Sequence, residues 1–283
     1  MSDAGAWIED RRAMVNSALT KALELPSESD PGGLREAMRY AVLHGGKRVR
    51  PLLVLAACEA AGGTPKMALP ACCALEMVHA YSLVHDDLPA MDDDAERRGL
   101  PTVHVEFGEA NAILVGDALL TEAFRVLARG AVGVAPAAMA EAVVRLATHA
   151  GIDGMVGGQA LDLAAGQDLA DLGELEQVHA LKTGALYAAA GALGALCAGA
   201  PTEQVAQLEE FGMSFGVGFQ HADDVLDDDQ PKLRAQAKER MEILLATCEQ
   251  ITDTFGDRGA PLRGLTGWLR ARARDAAAGA RFE

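Results

Sequence analysis

Apolar residues recur every three or four positions along almost the whole 283-residue chain. This spacing places them on one face of an α-helix, and we find no run with the strict alternation that a half-buried strand requires. No Pro-, Gly- or Ser-rich linker separates two regions, so the pattern predicts an all-α fold in a single domain over residues 1–283. Nine helical segments are predicted, at residues 7–25, 34–43, 51–61, 68–85, 110–129, 136–150, 172–187, 203–227 and 232–255.

The formal net charge of −16 argues against general nucleic-acid binding, which requires a basic surface. The five cysteines form no CxxC pair and their number is odd, which predicts reduced thiols and a cytoplasmic location. The first residues are charged throughout and have no apolar signal core. A long Ala- and Gly-rich stretch after Lys182 is interpreted as a buried helix, and we expect no membrane-spanning segment.

Two clusters of aspartates occur where predicted helices end. The first is HDDLPAMDDD at residues 85–94, and Pro89 should stop the preceding helix near Asp87. On one continuous helix Asp86 and Asp92 would point in different directions, so the break at Pro89 is what could fold Asp92 back beside Asp86. The second cluster is HADDVLDDD at residues 221–229, where the i, i+4 spacing puts Asp223 and Asp227 on one helix face.

Carboxylates at the C-terminal end of a helix face the negative end of its dipole, which is unfavourable without a cation. Two such clusters predict a hard divalent ion with oxygen ligands, and Mg²⁺ fits because it combines one or two carboxylates with substrate phosphate. His85 and His221 each adjoin an Asp pair. Zinc is nevertheless disfavoured, because oxygen ligands outnumber the histidines and the spacing of a closed zinc site is missing.

Basic residues occur beside glycines at several points, which is typical of diphosphate-binding segments. Glycine permits close approach of the backbone, and Lys and Arg bind phosphate as a point charge and as a fork. These segments are GGKRVRP at 45–51, ERRG at 96–99, GGQALD at 157–162 and KTG at 182–184. Three divalent ions would offset about six negative charges on two diphosphate esters, leaving the basic residues to orient the substrates.

These motifs, with EMVHAYSLVHDD, HALKTGAL and FQHADDVLD in the same order, closely resemble those of the trans-isoprenyl diphosphate synthases. The resemblance covers residues 34–227 and is nearest to the short-chain bacterial farnesyl diphosphate synthases. It implies a helical bundle around a deep central cavity, assembled as a homodimer. It also implies a prenyltransferase that joins isopentenyl diphosphate head to tail to an allylic diphosphate by ionisation, condensation and elimination.

The same resemblance assigns roles to individual residues. It implies three Mg²⁺ ions per active site, with Mn²⁺ as a possible substitute, and the implied ligands are Asp86, Asp92, Asp223 and Asp227. Asp87 and Asp224 would support these ligands. The residues implied to bind isopentenyl diphosphate are Gly46, Lys47, Arg50, His79 and Arg98. The residues implied at the allylic diphosphate and its reacting carbon, which include the catalytic ones, are Arg97, Gln159, Lys182, Thr183 and Gln220.

Product length is expected to depend on Tyr81, five positions before Asp86, with Ser82 beside it. In the resembled family a bulky residue at the position of Tyr81 closes the product cavity, which favours farnesyl diphosphate. A geranylgeranyl diphosphate synthase is the alternative enzyme. A class I terpene cyclase is disfavoured because it would have no second diphosphate to bind and so would lack GGKRVRP.

One region departs from the family pattern. A lysine-containing loop of roughly twenty residues normally follows the second Asp motif, whereas here a helical pattern resumes soon after Asp227. Either Lys232 or Lys238 partly replaces the loop lysine, or the chain is a catalytically impaired, synthase-like regulatory subunit. Loss of one charge-assisted contact to the departing diphosphate would cost about 2–4 kcal/mol of transition-state stabilisation.

Overall fold

The structure, a computed structural model, describes residues 3–24, 30–165, 172–227 and 234–277. Within these ranges the predicted all-α architecture is confirmed. The α-helices are α1 (Asp3–Ala22), α2 (Leu34–Leu43), α3 (Val49–Ala60), α4 (Pro65–Asp86), α5 (Val103–Phe107), α6 (Glu109–Arg129), α7 (Pro136–Ala150), α8 (Met155–Ala165), α9 (Leu172–Val178), α10 (Ala185–Cys197), α11 (Thr202–Asp227), α12 (Arg234–Asp253) and α13 (Ala260–Ala277).

The Ala- and Gly-rich helix α10 lies at the centre of the bundle. Every one of its residues is buried, and it contacts α3, α4, α7 and α11. Two segments, Pro65–Asp86 and Leu172–Cys197, are long and apolar enough to span a membrane by length and composition alone. Most of each segment is buried against other helices, as expected when an apolar helix forms a protein core.

Helices α5, α8 and α13 were not among the predicted segments. Two glycines near the start of α8 lower its helix propensity. The segment predicted as one helix over 172–187 contains a six-residue π-helical turn, His179–Gly184, between α9 and α10. The described residues also contain one short antiparallel ladder, β1 (Glu96–Arg97) with β2 (Leu100–Pro101), and 3₁₀ turns at Pro31–Gly33 and Gly256–Gly259.

All five cysteines are free and buried, as the sequence predicted. Burial is the main cause that raises the pKa of the Cys58 thiol to about 12, and the pKa values of Cys73 and Cys197 are raised in the same way. A buried thiol with a raised pKa is a poor nucleophile at neutral pH. These side chains therefore fill the core and take no part in chemistry.

Candidate active site

The first Asp motif folds back on the helix that precedes it. Helix α4 ends at Asp86, and the backbone N–H of Asp92 donates a hydrogen bond of 2.8 Å to the carbonyl of Asp86. Asp93 adopts a left-handed backbone conformation with φ of 55°, which helps the chain to reverse direction. The prediction that Pro89 ends the helix and brings Asp92 back beside Asp86 is confirmed.

The carboxyl group of Asp86 has an unusual electrostatic environment. Its pKa is raised from 3.8 to about 6, mainly because the group is partly removed from water, and the charges of Asp92 and Asp87 add to the effect. Lys182 and Arg97 act in the opposite direction without cancelling it. Burial and neighbouring like charges both disfavour an ionised carboxylate, and a bound cation would relieve both.

Asp87 has a different role from its neighbour. It is buried, with 3% of its surface exposed, and accepts a hydrogen bond of 2.7 Å from Nε of Arg97. Arg97 also lies 3.4 Å from a carboxylate oxygen of Asp94. These contacts fix the guanidinium of Arg97 beside the first Asp motif.

A cavity of about 1120 Å³ is lined in part by the basic segment at residues 45–50. Its lining includes the five residues implied to bind isopentenyl diphosphate, namely Gly46, Lys47, Arg50, His79 and Arg98. A Cβ atom on Gly46 would lie 2.8 Å from Nη1 of Arg98, so a larger residue here would displace the end of this arginine side chain. Arg98 also donates a hydrogen bond of 3.2 Å to the carbonyl of Gly45. We call this cavity the cationic cavity.

The imidazole of His79 shows how positive this cavity is. Removal from water lowers the pKa of His79 well below 6.5, and the charges of Arg50, Arg98, Arg97 and Arg48 lower it further. A neutral imidazole among several guanidinium groups is the pattern expected of an anion-binding site.

Arg48 lies in the same segment but is engaged elsewhere. It is buried and pairs with Glu76 at 2.5 Å. It also donates hydrogen bonds to Asn16 at 3.0 Å and to the carbonyl of Val42 at 2.7 Å. Arg48 therefore anchors the loop that presents Lys47 and Arg50.

A second cavity, of about 460 Å³, opens at Asp86. Its lining includes most of the residues implied at the allylic substrate and its chain-length end, namely Tyr81, Ser82, Gln159, Lys182 and Thr183. Arg50 and His79 line this cavity and the cationic cavity. The two cavities therefore share a wall, so that two ligands could meet there. We call the second one the allylic cavity.

The π-helical turn presents the polar side of the allylic cavity. Gly158 on α8 packs so tightly on this turn that a Cβ atom there would lie 2.2 Å from the backbone nitrogen of Lys182. Nζ of Lys182 lies 2.5 Å from a carboxylate oxygen of Asp162 on α8. Local π-helical geometry is frequent at functional sites.

Three oxygen-bearing side chains implied at the allylic substrate are found near this turn. The hydroxyl of Thr183 donates a hydrogen bond of 3.1 Å to the amide oxygen of Gln220 on α11. The amide nitrogen and oxygen of Gln159 are both buried and have no hydrogen-bond partner among the described residues. An unpartnered buried amide that lines a cavity is available to a ligand.

The second Asp motif is partly neutralised by the protein. Oδ1 of Asp223 lies 2.6 Å from Nη1 of Arg272 on α13, so the two side chains form an ion pair. The Arg272 guanidinium also stacks 4.9 Å from the ring centre of Phe219. Asp223 and Arg272 both line the cationic cavity. The predicted ligand Asp227 is the last residue of α11, and its side chain lies outside the described residues.

Arg272 is a site residue that the sequence analysis missed. It lies on a helix that was not predicted and far along the chain from every motif. Leu262, Leu265 and Leu269 recur at helical spacing and are all buried on α13. This apolar periodicity was the signal that could have revealed the helix. No local pattern marked Arg272 as a partner of Asp223.

Asp224 points to two histidines. One of its carboxylate oxygens lies 3.6 Å from Nε2 of His179 and 3.6 Å from Nδ1 of His221. Burial is the main cause that lowers the pKa of His179 to about 4, so this imidazole is neutral at physiological pH. His85, in contrast, has its Nε2 atom 3.1 Å from the carbonyl oxygen of Ile113.

Of the two lysines proposed as substitutes for the loop lysine, Lys238 lies in the described part of the chain. Lys238 is exposed on α12. Lys232 lies outside the described residues, as does the rest of the segment between Asp227 and Arg234.

Comparison with known proteins identifies this arrangement of two cavities and two Asp motifs. The sequence profile of the family described as polyprenyl synthetase matches residues 32–234, which include both motifs. The chain belongs to the polyprenyl synthetase family. This confirms the resemblance drawn from the motifs, and members of this family generally depend on divalent metal ions.

Named relatives of this family member make products of different length. A farnesyl diphosphate synthase of Geobacillus stearothermophilus is 43% identical over 78% of this chain and 74% of that protein. The large subunit 1 of a chloroplastic heterodimeric geranylgeranyl pyrophosphate synthase of Arabidopsis thaliana is 46% identical over 80% of this chain. This alignment spans only 61% of the plant protein, so the chain matches about three fifths of that relative's length.

A solved structure supports the fold assignment. An FPP/GFPP synthase from Zymomonas mobilis superposes with a TM-score of 0.86 at 36% identity, covering 94% of this chain and 98% of that one. The chain therefore has the all-α fold of the isoprenyl diphosphate synthases, as the resemblance implied.

Proposed function

We propose that this protein is a short-chain prenyltransferase that condenses isopentenyl diphosphate with an allylic diphosphate to give farnesyl diphosphate. The observation that supports this most strongly is the shared wall of the two cavities. The cationic cavity is lined by Lys47, Arg50 and Arg98 and is bordered by Asp223, whereas the allylic cavity opens at the partly buried carboxyl of Asp86. One diphosphate ester fits at the basic groups and the other fits at Asp86.

The metal in this proposal is Mg²⁺, with three ions per active site. Asp86 and Asp92 are brought together by the turn after α4, and carboxylate oxygens are the ligands that Mg²⁺ prefers. Asp223 and Asp227 would serve as the ligands from α11. When bound, divalent ions neutralise the charge that develops on the departing allylic diphosphate.

In the proposed reaction Lys47, Arg50 and Arg98 hold isopentenyl diphosphate, with Gly46 allowing close approach and the neutral His79 donating a hydrogen bond. Arg97, fixed by Asp87, and Lys182 hold the allylic diphosphate. The allylic C–O bond ionises, and the isopentenyl double bond attacks the allylic cation. This forms the new C–C bond and leaves the positive charge on the tertiary carbon of the isopentenyl unit. The carbon next to that charge then loses a proton to the released diphosphate, and the C–H electron pair forms the new double bond.

The remaining residues in this proposal protect the cation. The oxygens of Gln159, Thr183 and Gln220 face the positive carbon and stabilise it. The apolar lining of the allylic cavity excludes water, which would otherwise capture the cation.

Farnesyl length is proposed because of Tyr81. Its side chain is 7% exposed, lines the allylic cavity and packs with its ring centre 5.9 Å from that of His85. A phenol at this depth, more than one helical turn from Asp86, would block a longer chain, with Ser82 adjoining it. The name of the Geobacillus relative supports this product, whereas the name of the Arabidopsis relative supports the geranylgeranyl alternative.

Product analysis tests this proposal. Purified protein is incubated with Mg²⁺, labelled isopentenyl diphosphate and either dimethylallyl or geranyl diphosphate, and the dephosphorylated products are resolved by length. We expect a farnesol-length product from the natural protein and from the matched control Tyr81→Phe. Tyr81→Ala should make longer products, because it removes the bulk that closes the cavity.

Two results would count against parts of the proposal. An unchanged product profile in Tyr81→Ala would remove the role of Tyr81 in chain length. No product at all, with Mg²⁺-dependent diphosphate binding still visible as a thermal shift, would favour the regulatory-subunit alternative. The short segment after the second Asp motif would then be the cause to investigate.

We also propose a homodimer and a cytoplasmic location. Helix α6 packs one face into the core but leaves Ile113 and Leu114 48% and 52% exposed, which supports contact with a second copy. We expect Leu114→Glu to convert a dimer to a monomer in size-exclusion chromatography with light scattering. Val132→Glu is the control, because Val132 is 99% exposed between α6 and α7. An unchanged mass for Leu114→Glu would exclude this face as the interface.

A further inference from the structure

Two residues of the second Asp motif and one histidine of the π-helical turn form a buried polar cluster that the proposed reaction does not use. It consists of His179 on the π-helical turn and His221 and Asp224 on α11. One nitrogen of each histidine and one oxygen of Asp224 all lie within 4.8 Å of one another. His221 is fully buried, and the side chains of His179 and Asp224 are 8% and 10% exposed. We call this the His–His–Asp cluster.

The hydrogen bonds of the cluster are incomplete. Nδ1 of His179, Nδ1 of His221 and Oδ2 of Asp224 are buried, and none has a hydrogen-bond partner among the described residues. Buried polar atoms nearly always have partners, so the unpartnered Nδ1 of His221 and Oδ2 of Asp224, which face each other at 3.6 Å, require an explanation. The two 3.6 Å separations from Asp224 are too long for hydrogen bonds.

The neighbour of His221 determines which nitrogen bears its hydrogen. Nε2 of His221 lies 3.1 Å from Oε1 of Glu176, and the same oxygen accepts a hydrogen bond of 2.7 Å from Arg240. An ionised carboxylate can only accept, so Nε2 of His221 must be the donor. Nδ1 is then the ring nitrogen of His221 that can serve as a metal ligand, and it lies 3.6 Å from Oδ2 of Asp224. A metal ion between these two atoms would give both of them a partner.

We propose that His179, His221 and Asp224 bind a transition-metal ion, most suitably Zn²⁺, through Nε2, Nδ1 and Oδ2 respectively. Bonds of about 2.0–2.1 Å in a tetrahedral site separate the ligand atoms by about 3.3–3.4 Å, close to the 3.6 Å found here. Glu176 is the outer carboxylate that orients a metal-bound histidine, an arrangement typical of protein zinc sites.

The site is distinct in chemistry from the Asp motifs at the substrates. Two imidazoles and one carboxylate suit zinc and related ions, whereas oxygen-only ligands suit Mg²⁺. The ion would join the π-helical turn to α11, two elements that also present Thr183 and Gln220 to the allylic cavity. Its effect on the enzyme would therefore be to fix the relative position of these elements.

Zinc titration of the whole protein tests the proposal. Protein stripped with a chelator is titrated with Zn²⁺ in competition with a chromogenic chelator, in excess Mg²⁺ so that oxygen-only sites are occupied. We expect one tight Zn²⁺ per chain, and Co²⁺ should give the visible absorption of a tetrahedral complex. Glu176→Gln should weaken Zn²⁺ binding by about 10–100-fold, and the ligand variants His179→Gln and His221→Asn should weaken it more.

Matched controls separate this site from others. His149→Gln removes a histidine that pairs with Glu209 at 2.7 Å on another face, and Asp86→Asn removes the first Asp motif. Both should bind Zn²⁺ as the natural protein does. Equal Zn²⁺ affinity in His179→Gln and the natural protein, or loss of Zn²⁺ binding in Asp86→Asn, would overturn the proposal.

Circular dichroism in the chelator shows whether each variant folds. If His221→Asn does not fold, His179→Gln and Glu176→Gln decide the question. The readout is metal binding and needs no substrate, so it is independent of whether the protein transfers prenyl groups.

Discussion

The two Asp motifs end similar apolar helices but have opposite surroundings. At the first, Asp86 has a raised pKa of about 6 and lies beside other carboxylates. At the second, Asp223 lies 2.6 Å from Arg272, and Asp224 faces two histidines. At the first motif Arg97 pairs with Asp87 and leaves the implied metal ligand Asp86 among carboxylates. At the second motif Arg272 pairs with the implied ligand Asp223 itself.

This difference bears on the shortened segment after Asp227. The resemblance implies a lysine-containing loop after this motif, whereas a helical pattern resumes soon after Asp227 in this sequence. Arg272 brings a guanidinium to the same motif from α13. The positive charge beside this motif in the described part of the chain therefore comes from a helix distant in sequence.

The largest effect is expected for Asp86→Asn, which should lower activity and raise stability. Loss of a metal-binding carboxylate should lower kcat by about 10³-fold or more. The same substitution should stabilise the fold at pH 7 by about 1 kcal/mol, because it removes a charge that the partly buried site disfavours. Kinetics and thermal unfolding of the same preparation measure both effects. A lower melting temperature at pH 7 would contradict the electrostatic account.

Asp223→Asn should have the opposite effect on stability. It leaves Arg272 without its partner carboxylate, so we expect a loss of about 1 kcal/mol in unfolding free energy and about 10²-fold in kcat. A double-mutant cycle with Arg272→Gln isolates the pair, and the coupling should account for most of the stability loss. Strictly additive effects would mean that the two side chains do not interact in solution.

The pH dependence should also differ between the motifs. The folded pKa of Asp86 is raised, so its contribution to stability is present below about pH 4 and is lost as the pH rises through about 6. Protons compete with metal for the same carboxylate, so apparent Mg²⁺ affinity should fall by up to about tenfold per pH unit below about pH 6. Measuring Mg²⁺ dependence of diphosphate binding from pH 5 to 8 tests this. Asp86→Asn, the control, should lose this component of the pH dependence.

The first motif could be predicted from its sequence because its geometry is local. Pro89 ends α4, and the following residues return within one short turn, so Asp92 meets Asp86 through neighbouring backbone atoms. The cationic segment was predictable for a similar reason. Lys47 and Arg50 lie within a few residues of the glycine that lets Arg98 approach.

The surroundings of the second motif were not predictable in this way. Arg272 belongs to a helix that the periodicity analysis missed. From the sequence, zinc was considered only at His85 and His221, and not at His179. His179 reaches Asp224 through the packing of the π-helical turn on α11, and no spacing rule describes that contact.

The sequence by itself determined the helical character of the chain, the ends of its apolar helices, the acidic and basic motifs and the family to which they belong. These properties depend on local spacing, on proline and glycine, and on the order of motifs along the chain. Only the tertiary structure decided which cation Asp223 meets, which histidines face Asp224 and that Arg50 and His79 separate two cavities. Such contacts join distant segments, and they depend on how the helices pack rather than on any one helix.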